Sequence, residues 1–289
     1  MEVKVKAPAK INLSLDVLGR RPDGYHELST VMQTVDLYDE ITLTQNDSGR
    51  VTVSCEYEGV PCDDNNICVK AAHRFFEHCR DEVSGVHINI DKQIPTQAGL
   101  AGGSADGAAV IVGLNYMLGK RLTPREMLAI GARVGADVPF CIEGGTRLCT
   151  GVGDVMSRVP PLQGVGIVIC KPDTVGVSTA EAYQKVDSLA PHGCYTDEMV
   201  KALCSRDLFM ITSTIFNDFE LALQIPEVNT IKGEMLALKA MGAGMSGSGS
   251  AVFALFGSQR RAKRCFEELK KKYPQTFLCK PVKTGCTVE

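Results

Sequence analysis

The stretch Pro95-Thr-Gln-Ala-Gly-Leu-Ala-Gly-Gly-Ser-Ala-Asp-Gly-Ala-Ala109 separates an alternating, strand-like segment from a continuous apolar one. Val86–Asp91 alternates apolar and polar side chains before it, and residues 108–118 form a helix-length apolar run after it. The glycines of the stretch lack a Cβ, so the backbone can bend sharply and a ligand can reach its N–H groups. We expect Ser104 to cap the following helix, whose positive end then points back at the loop.

This Gly-rich loop (residues 95–105) predicts an anion site, and phosphate is the usual anion at the start of a helix. It lacks the Gly-Lys-Ser/Thr end of a Walker loop and the Gly-x-Gly-x-x-Gly of a dinucleotide fold. A tight turn that only leads into a helix would have the same composition. The loop alone does not decide between the two interpretations.

The composition is that of an ordinary globular protein, with 289 residues, of which 44% are hydrophobic and 22% are charged. The net charge of −3 argues against non-specific binding to nucleic acid or to an anionic membrane. The basic cluster in residues 260–272 lies on a helical pattern with an apolar stripe, which favours a solvated face over a binding patch.

Several features indicate a cytoplasmic protein. No apolar run approaches membrane-spanning length, and no secretory signal follows the lysines near the N-terminus. The 12 cysteines are scattered without a Cys-x-x-Cys pair, and Cys141, Cys170 and Cys265 lie in apolar runs. We therefore expect buried, reduced thiols and no zinc site. We also expect a monomer or a weak homodimer.

The N-terminal residues predict a short strand at residues 2–6 and a second strand after Pro8. In the second strand, one face carries Ile11, Leu13, Leu15 and Val17 and the other carries Lys10, Asn12, Ser14 and Asp16. A lysine that points outward from a strand is usually solvated, so the alternation alone gives Lys10 no function.

Two further positions allow a structural and a functional interpretation. Tyr25 and His26 follow the turn Gly19-Arg-Arg-Pro-Asp-Gly24, where packing of a hairpin is favoured over a platform for a flat ligand. Asp137 lies between small and apolar residues, just before Pro139. It is a helix cap or a partly desolvated acid, and the cap is favoured unless a cation lies nearby.

The remaining chain mixes strands and helices without regular alternation, which indicates the α+β class. We expect residues 39–44 and 50–57 to form a hairpin. Capping boxes are predicted at Thr123 and at Ser178. A second Gly/Ser loop at residues 242–250 leads into a buried strand.

Three stretches in order resemble the signature motifs of the GHMP kinases, the family of galactokinase, homoserine kinase, mevalonate kinase and phosphomevalonate kinase. They are Ala7-Pro-Ala-Lys-Ile-Asn-Leu13, residues 95–109 and residues 241–250. Two further stretches, residues 19–26 and Gly135-Ala-Asp-Val-Pro-Phe140, are similar to one branch of that family. The likeness extends from residue 3 to about residue 256.

The resemblance implies a two-lobe fold of the α+β class. An N-terminal ATP-binding lobe like ribosomal protein S5 domain 2 would comprise residues 1–150, with the boundary in the glycine cluster around residues 144–153. A ferredoxin-like lobe, residues 151–289, would complete the cleft. The implied reaction is ATP- and Mg²⁺-dependent phosphorylation of the 2-hydroxyl of a CDP-linked methylerythritol, in non-mevalonate isoprenoid biosynthesis.

Site residues follow from the same resemblance. Lys10 and Asp137 match the catalytic lysine and aspartate, Asn65 matches an adenine contact, and Ser104 would lie near Mg²⁺. The residues that match the ATP-binding loop are Pro95, Thr96, Gln97, Ala98, Gly99, Leu100, Ala101, Gly102, Gly103, Ser104 and Ala105. The residues that match substrate contacts are Asn12, the cytosine-sandwiching pair Tyr25 and Tyr183, and His26, which would read the base edge.

The loop departs from the family pattern at two positions. Ala101 replaces a glycine, and we expect it to have a negative φ because alanine has a Cβ. Ala105 replaces a serine, which removes one possible phosphate-binding hydroxyl.

Two other functions are weighed. Another GHMP-type kinase, for mevalonate, homoserine or a sugar, would not need residues 19–26. A nucleic-acid-binding protein would share the lobe type of a ribosomal protein. The acidic balance and the lack of aromatic residues among the basic ones count against it.

Overall fold

The computed structural model describes residues 1–79, 85–119, 121–173, 178–189 and 193–289. The strands are β1 (Glu2–Arg20), β2 (His26–Gln45), β3 (Val51–Cys55), β4 (Val86–Asp91), β5 (Thr146–Gly151), β6 (Val155–Arg158), β7 (Gly166–Cys170), β8 (Phe216–Asn217), β9 (Gly242–Met245), β10 (Val252–Phe256), β11 (Thr276–Cys279) and β12 (Thr287–Val288). The helices are α1 (Ile67–Cys79), α2 (Gly102–Met117), α3 (Pro124–Val134), α4 (Val138–Glu143), α5 (Thr179–Val186), α6 (Tyr195–Ser205), α7 (Leu208–Ser213), α8 (Asp218–Leu223), α9 (Pro226–Ala237) and α10 (Gln259–Lys270).

The larger sheet has the strand order β12-β1-β2-β4-β3, with β5 and β6 continuing from β2 and β8 beside β1. The two strands predicted for residues 2–20 form the single strand β1, because irregularities in its register let it continue through Pro8. The predicted hairpin of β2 and β3 is wrong. β4 lies between them, antiparallel to β2 and parallel to β3. The residues between β3 and β4 therefore form a crossover connection that contains α1.

β1 takes part in two hydrophobic cores. Val3 and Val5 pack beneath α1 and α2, whereas Ile11 and Leu13 pack against β7 and β10. β1 changes from one core to the other at the register irregularity between Pro8 and Lys10. The strand therefore passes from the core of the first lobe into a core that both lobes share.

The polar face predicted for β1 is not solvated. Lys10 is 4% exposed, Asn12 1%, Ser14 0% and Asp16 1%. The C-terminal lobe covers part of this face, since the hydroxyl of Thr196 in α6 donates to Ser14 Oγ at 3.0 Å. A row of buried polar side chains on one strand needs partners, and these partners define the cleft described below.

The smaller sheet has the order β11-β7-β10-β9, and its neighbouring strands are antiparallel. Its strands follow in the order β7, β9, β10 and β11, with several helices that end with α9 between β7 and β9, and with α10 between β10 and β11. This order confirms the ferredoxin-like arrangement and the α+β class. One face packs in the shared core and the other packs against α9 and α10. The predicted Gly/Ser loop at residues 242–250 is half strand. Residues 242–245 form β9, and residues 246–250 are the tip of its hairpin with β10.

The lobes are joined by more than the chain connection. β8 pairs in parallel with β1, and β12 pairs antiparallel with β1, so C-terminal segments extend the N-terminal sheet. β5 itself ends at Gly151 and pairs with β6, which ends at Arg158. The large sheet therefore continues past the boundary predicted after residue 150.

The local signals for helix ends are partly confirmed. Thr123 and Glu126 form the predicted capping box of α3, and Asn66 Oδ1 accepts a hydrogen bond from Cys68 N at 2.8 Å at the start of α1. The capping box predicted at Ser178 is wrong, because that side chain makes no capping hydrogen bond. Ser104 is not the cap of α2, which starts two residues earlier, after Ala101.

The prediction of buried thiols is confirmed for the three cysteines named above and holds for only part of the set. Cys141, Cys170 and Cys265 are at most 1% exposed, whereas Cys62 and Cys204 are exposed. Burial raises the pKa of Cys170 to about 11 and that of Cys265 to about 12, so these thiols stay protonated at neutral pH. Among the described residues, no helix is long and apolar enough to cross a membrane.

Asp16→Ala should lower the free energy of unfolding by about 2 kcal/mol, because two N–H groups at the start of α6 would lose a buried acceptor. Asp16 accepts from Tyr195 N at 3.0 Å and from Thr196 N at 2.7 Å. Urea unfolding followed by circular dichroism measures the change. Asp207→Ala is the matched control, since Asp207 caps α7 locally at the surface. Equal losses in the two variants would contradict a bridging role for Asp16.

Candidate active site

A cleft of about 1140 Å³ lies between the two lobes. Its lining includes the Gly-rich loop, the hairpin tip (residues 246–250) and the start of α2. The predicted site residues that line it, apart from the loop itself, are Lys10, Asn12, Tyr25, His26, Asp137 and Tyr183. The fold thus brings together side chains that are up to 173 positions apart in the sequence, from Lys10 to Tyr183.

The Gly-rich loop is held in a conformation that its sequence only partly predicts. Gly99 has φ 72°, and a Cβ there would lie 1.9 Å from the carbonyl oxygen of Ser246, so only glycine fits. The negative φ expected for Ala101 is wrong, because its φ is 56°. This left-handed conformation costs an alanine about 1 kcal/mol, which the surrounding contacts must offset.

The Gly-rich loop is bonded to β1 through its backbone. Lys10 N donates to Leu100 O at 3.1 Å, so the residue that carries the ammonium group is fixed directly to the loop. Because this bond involves only backbone atoms, it sets the distance between strand and loop independently of the side chains. Lys10 is thereby aligned with the loop.

The hairpin tip holds the other side of the loop. Ala251 N donates to Ala98 O at 3.1 Å, and Ser246 Oγ donates to Gly99 O at 2.9 Å. The same hydroxyl lies 3.3 Å from Asn12 N, from which it accepts a hydrogen bond. The motifs at residues 7–13, 95–109 and 241–250 are therefore joined to one another by hydrogen bonds.

Asn217 supports the hairpin tip from behind, and the sequence patterns did not predict its role. Its Nδ2 donates to the carbonyl oxygens of Met245 and Gly247, both at 2.8 Å. A Cβ on Gly247 would lie 3.3 Å from Lys10 Nζ, so the glycine leaves room for the ammonium group. Asn217 is also the N-cap of α8, because its Oδ1 accepts from Phe219 N at 2.9 Å. The sequence signal of a cap therefore does not reveal the second role of this amide.

Lys10 and Asp137 form the polar centre of the cleft. Lys10 Nζ donates to Asn12 Oδ1 at 2.6 Å and lies 4.0 Å from Asp137 Oδ2. Asn12 Nδ2 in turn donates to Thr30 Oγ1 at 2.8 Å, which fixes the orientation of the amide. The Asp137 side chain is 32% exposed, so it is accessible from the cleft.

The cap interpretation of Asp137 is wrong. Asp137 is the residue before α4, but its side chain makes no capping hydrogen bond. The sequence favours a functional acid at Asp137 if a cation lies nearby, and Lys10 is such a cation. The ammonium group of Lys10 and the carboxylate of Asp137 attract each other across this distance of 4.0 Å.

A second buried cation lies beneath the Gly-rich loop and was missed by the sequence analysis. Lys92 Nζ donates to Asp39 Oδ2 and, at 2.8 Å, to Asp106 Oδ2, and its side chain is 3% exposed. Burial lowers the pKa of Lys92, but the two carboxylates outweigh it and raise that pKa above its usual value. Burial also raises the pKa of Asp106 well above its usual range. The three residues come from β2, the end of β4 and α2, so no local pattern indicates them.

Asp39 connects this charge cluster to the loop. Its Oδ1 accepts from Gln93 N at 2.6 Å and from Ile94 N at 2.7 Å, the two residues that precede the loop. The cluster therefore sets the point at which the chain leaves β4. Lys92 and Asp106 both line the cleft.

The far end of the cleft is aromatic, but its pairing differs from the one expected. Tyr25 is 66% exposed, and the ring that stacks on Tyr183 is His26, with centroids 4.3 Å apart and planes at 14°. Tyr183 also meets Phe219 edge to face at 4.9 Å. Burial raises the pKa of Tyr183 to about 12, so its phenol stays neutral. The role of Tyr25 and Tyr183 as a sandwich stays a prediction.

Ser104 lines the cleft, whereas Asn65 is not one of the residues that line it. Asn65 is exposed and bonds Asp63, whereas its neighbour Asn66 lines the cleft. Ser104 lies in the first turn of α2 and is partly exposed to the cleft. The described residues contain no group of three or more histidine, cysteine or acidic side chains that could hold a metal ion.

The class of protein follows from the comparison with known families. Residues 66–145 match the N-terminal domain of the GHMP kinases, and residues 199–275 match their C-terminal domain. The chain belongs to the GHMP kinase family. The Gly-rich loop lies inside the first matched region and the hairpin tip inside the second.

Full-length relatives of one kind are similar to the chain. A 4-diphosphocytidyl-2-C-methyl-D-erythritol kinase of Alkaliphilus metalliredigens is 44% identical over 280 residues, with 96% of each chain covered. The enzyme of the same name from Acetivibrio thermocellus is 41% identical, covering 97% of this chain and 99% of its own.

Two solved structures are also similar to the chain. A crystal structure of 4-(cytidine 5'-diphospho)-2C-methyl-D-erythritol kinase has a TM-score of 0.78 at 31% identity, over 96% of this chain and 98% of that one. A homoserine kinase from Cytophaga hutchinsonii has a TM-score of 0.82 at 22% identity, over 100% of this chain and 97% of that one. At that identity the likeness shows the fold alone.

Lys92→Met should lower the free energy of unfolding by about 3–5 kcal/mol, because it leaves two buried carboxylates without their cation. Urea unfolding measures the loss. Lys4→Met is the control, since the pair of Lys4 and Glu40 has side chains 50% and 35% exposed and should contribute much less. A Lys92→Met protein as stable as the control would show that the cluster does not support the fold.

Proposed function

We propose that the protein is an ATP-dependent kinase that phosphorylates the 2-hydroxyl of 4-diphosphocytidyl-2-C-methyl-D-erythritol, in the synthesis of isoprenoid precursors. One observation carries the proposal. Lys10 and Asp137 meet in the cleft with the Gly-rich loop on one side and Tyr25 and His26 on the other. The relatives of that name support the choice of substrate.

Asp137 receives the proton of the attacking hydroxyl. Phosphoryl transfer requires positioning, neutralisation of charge and an acceptor for that proton, and a partly exposed carboxylate in the cleft provides the acceptor. The ammonium group of Lys10, aligned by Asn12, stabilises the oxygen as negative charge develops on it.

The Gly-rich loop binds the phosphates of ATP. Its backbone N–H groups and the positive end of α2, a helix of 16 residues, favour an anion at this place. Gly99 and Ala101 adopt left-handed conformations within a loop that is bonded to both β1 and the hairpin tip. The loop is therefore preorganised rather than formed by the nucleotide.

The residues of the cleft fit a magnesium ion that is held mainly by the nucleotide. Mg²⁺ usually takes one or two protein oxygens together with substrate phosphates and water, so it needs no cluster of carboxylates. Ser104, partly exposed in the first turn of α2, would supply a hydroxyl oxygen. The ion would neutralise charge on the transferred group.

The aromatic end of the cleft receives the cytosine base. Tyr25 offers a largely exposed ring for stacking, and His26 offers a ring nitrogen to the base edge. Tyr183 holds the His26 ring by stacking. Asn65 stays a candidate for the adenine contact, with Asn66 beside it in the cleft wall.

An ATP-consumption assay with four alcohols tests the proposal. Turnover should be fastest with the CDP-linked methylerythritol and slow or absent with mevalonate, homoserine and galactose. The alternative is a GHMP-type kinase for one of those other alcohols, and a preference for any of the three would establish it.

Asp137→Asn should reduce kcat by orders of magnitude and leave ATP binding nearly unchanged, because the amide is nearly isosteric but does not accept the proton. Steady-state kinetics and calorimetric ATP titration measure the two effects. Asp154→Asn, on an exposed turn outside the cleft lining, is the control. Turnover near that of the wild type would remove Asp137 from the role of base.

Tyr25→Ala should weaken binding of the CDP-linked substrate through lost stacking worth ~1–3 kcal/mol. The expected result is a raised KM for that substrate with kcat and the KM for ATP less affected. Tyr116→Ala, another exposed tyrosine, lies outside the cleft and serves as the control. An unchanged KM would exclude Tyr25 from base stacking.

A further inference from the structure

Asp187 contacts His26 inside the cleft. Its Oδ1 lies 2.8 Å from His26 Nε2. The His26 side chain is 8% exposed and that of Asp187 is 41% exposed, so the pair closes one wall of the cleft. The two residues are 161 positions apart, and neither sequence pattern indicates the contact.

One turn of α5 holds the imidazole in two ways. Tyr183 stacks on its face, and Asp187, four residues later, bonds its edge. Asp187 N also donates to Tyr183 O at 3.0 Å, which keeps the two residues on the same side of the helix end. Stacking restricts the tilt of the ring, and the edge contact restricts its rotation within the plane.

The edge contact also determines where the imidazole carries its hydrogen. A neutral imidazole has one N–H and one bare nitrogen, and a carboxylate accepts hydrogen bonds but donates none. In the neutral imidazole the hydrogen therefore lies on Nε2, facing Asp187 Oδ1, and Nδ1 is the acceptor. No hydrogen bond from the part of the chain that the structure describes reaches His26 Nδ1.

We propose that Asp187 is a positioning residue that fixes the Nε2–H tautomer of His26, so that Nδ1 accepts a hydrogen bond from the exocyclic amino group of cytosine. This inference rests on the proposed function. Cytosine presents a donor at C4, whereas uracil presents a carbonyl acceptor there. An acceptor fixed on His26 favours cytosine and leaves a uracil oxygen facing a lone pair. Asp187 thus sets the base preference without touching the base.

Steady-state kinetics with the CDP-linked alcohol and its UDP-linked analogue test the inference. Asp187→Ala frees the tautomer, so the KM for the CDP substrate should rise about 10-fold and the preference for cytosine should fall by a similar factor. Changes in kcat and in the KM for ATP should be much smaller. Asp187→Asn can accept from Nε2–H or donate to a bare Nε2, so it should give a preference for cytosine between those of the wild type and Asp187→Ala.

Glu181→Ala is the matched control. Glu181 lies on the same helix and pairs with Lys185 at the surface, at 3.5 Å, without touching His26. It should leave the base preference unchanged. A preference lost equally in the control variant, or kept in Asp187→Ala, would overturn the inference.

Two further readouts separate positioning from simple support of α5. Imidazole ¹⁵N spectra, with the His26 signals identified from a His26→Ala sample, should show the Nε2–H form in the wild type and a mixture in Asp187→Ala. In the His26→Ala background, Asp187→Ala should produce no further loss of preference. An unchanged tautomer or an additive loss would contradict the proposal. If the wild type does not turn over the CDP substrate, the proposed function fails instead, whatever the tautomer.

Discussion

The backbone hydrogen bonds between the Gly-rich loop and its two neighbours are the constraint on which the cleft depends. β1 holds the loop at Leu100, and the residue after the hairpin tip holds it at Ala98. Gly99 is packed so closely against Ser246 that a Cβ would overlap its carbonyl oxygen. The two lobes share a hydrophobic core that includes Ile11. Burial of this apolar surface stabilises the contact between the lobes, and that contact holds the loop in place. The strained conformation of Ala101 persists because these contacts leave the chain no alternative.

The site places two lysines in different electrostatic surroundings. Lys92 donates to the buried carboxyl groups of Asp39 and Asp106 and serves the architecture of the loop. Lys10 has an amide as its hydrogen-bonding partner and one carboxylate at 4.0 Å, so its charge remains available to the cleft. Both are almost fully buried, and both lie near the same loop. The number of acidic neighbours, rather than burial, distinguishes the surroundings of Lys92 from those of Lys10.

The sequence predicted the parts of the site that are carried by short motifs. The Gly-rich loop, Lys10 and Asp137 each belong to a local pattern, and the resemblance to the GHMP kinases united them. Roles that arise from distant contacts were not predictable. Asp39, Asn217 and Asp187 look like ordinary polar residues until the fold gives them partners. The hairpin of β2 and β3 was wrong for a related reason, because the turn signal was genuine but a later strand, β4, takes the place between them.

The position of β1 has a consequence for the order in which the molecule folds. Its pairing with β2 is nearly local, but β8 and β12, more than 190 residues further along, complete its surroundings. Contacts of such long sequence separation form slowly, since the loop-closure entropy comes before the gain from pairing. The strand that carries Lys10 therefore starts to pair with β2 early in folding and completes its pairing, with β8 and β12, late. A partly folded chain would expose Lys10, Asn12 and Asp16 to water. These side chains would gain their partners in the cleft only when the second lobe docks, so that maturation of the cleft and completion of the fold are the same event.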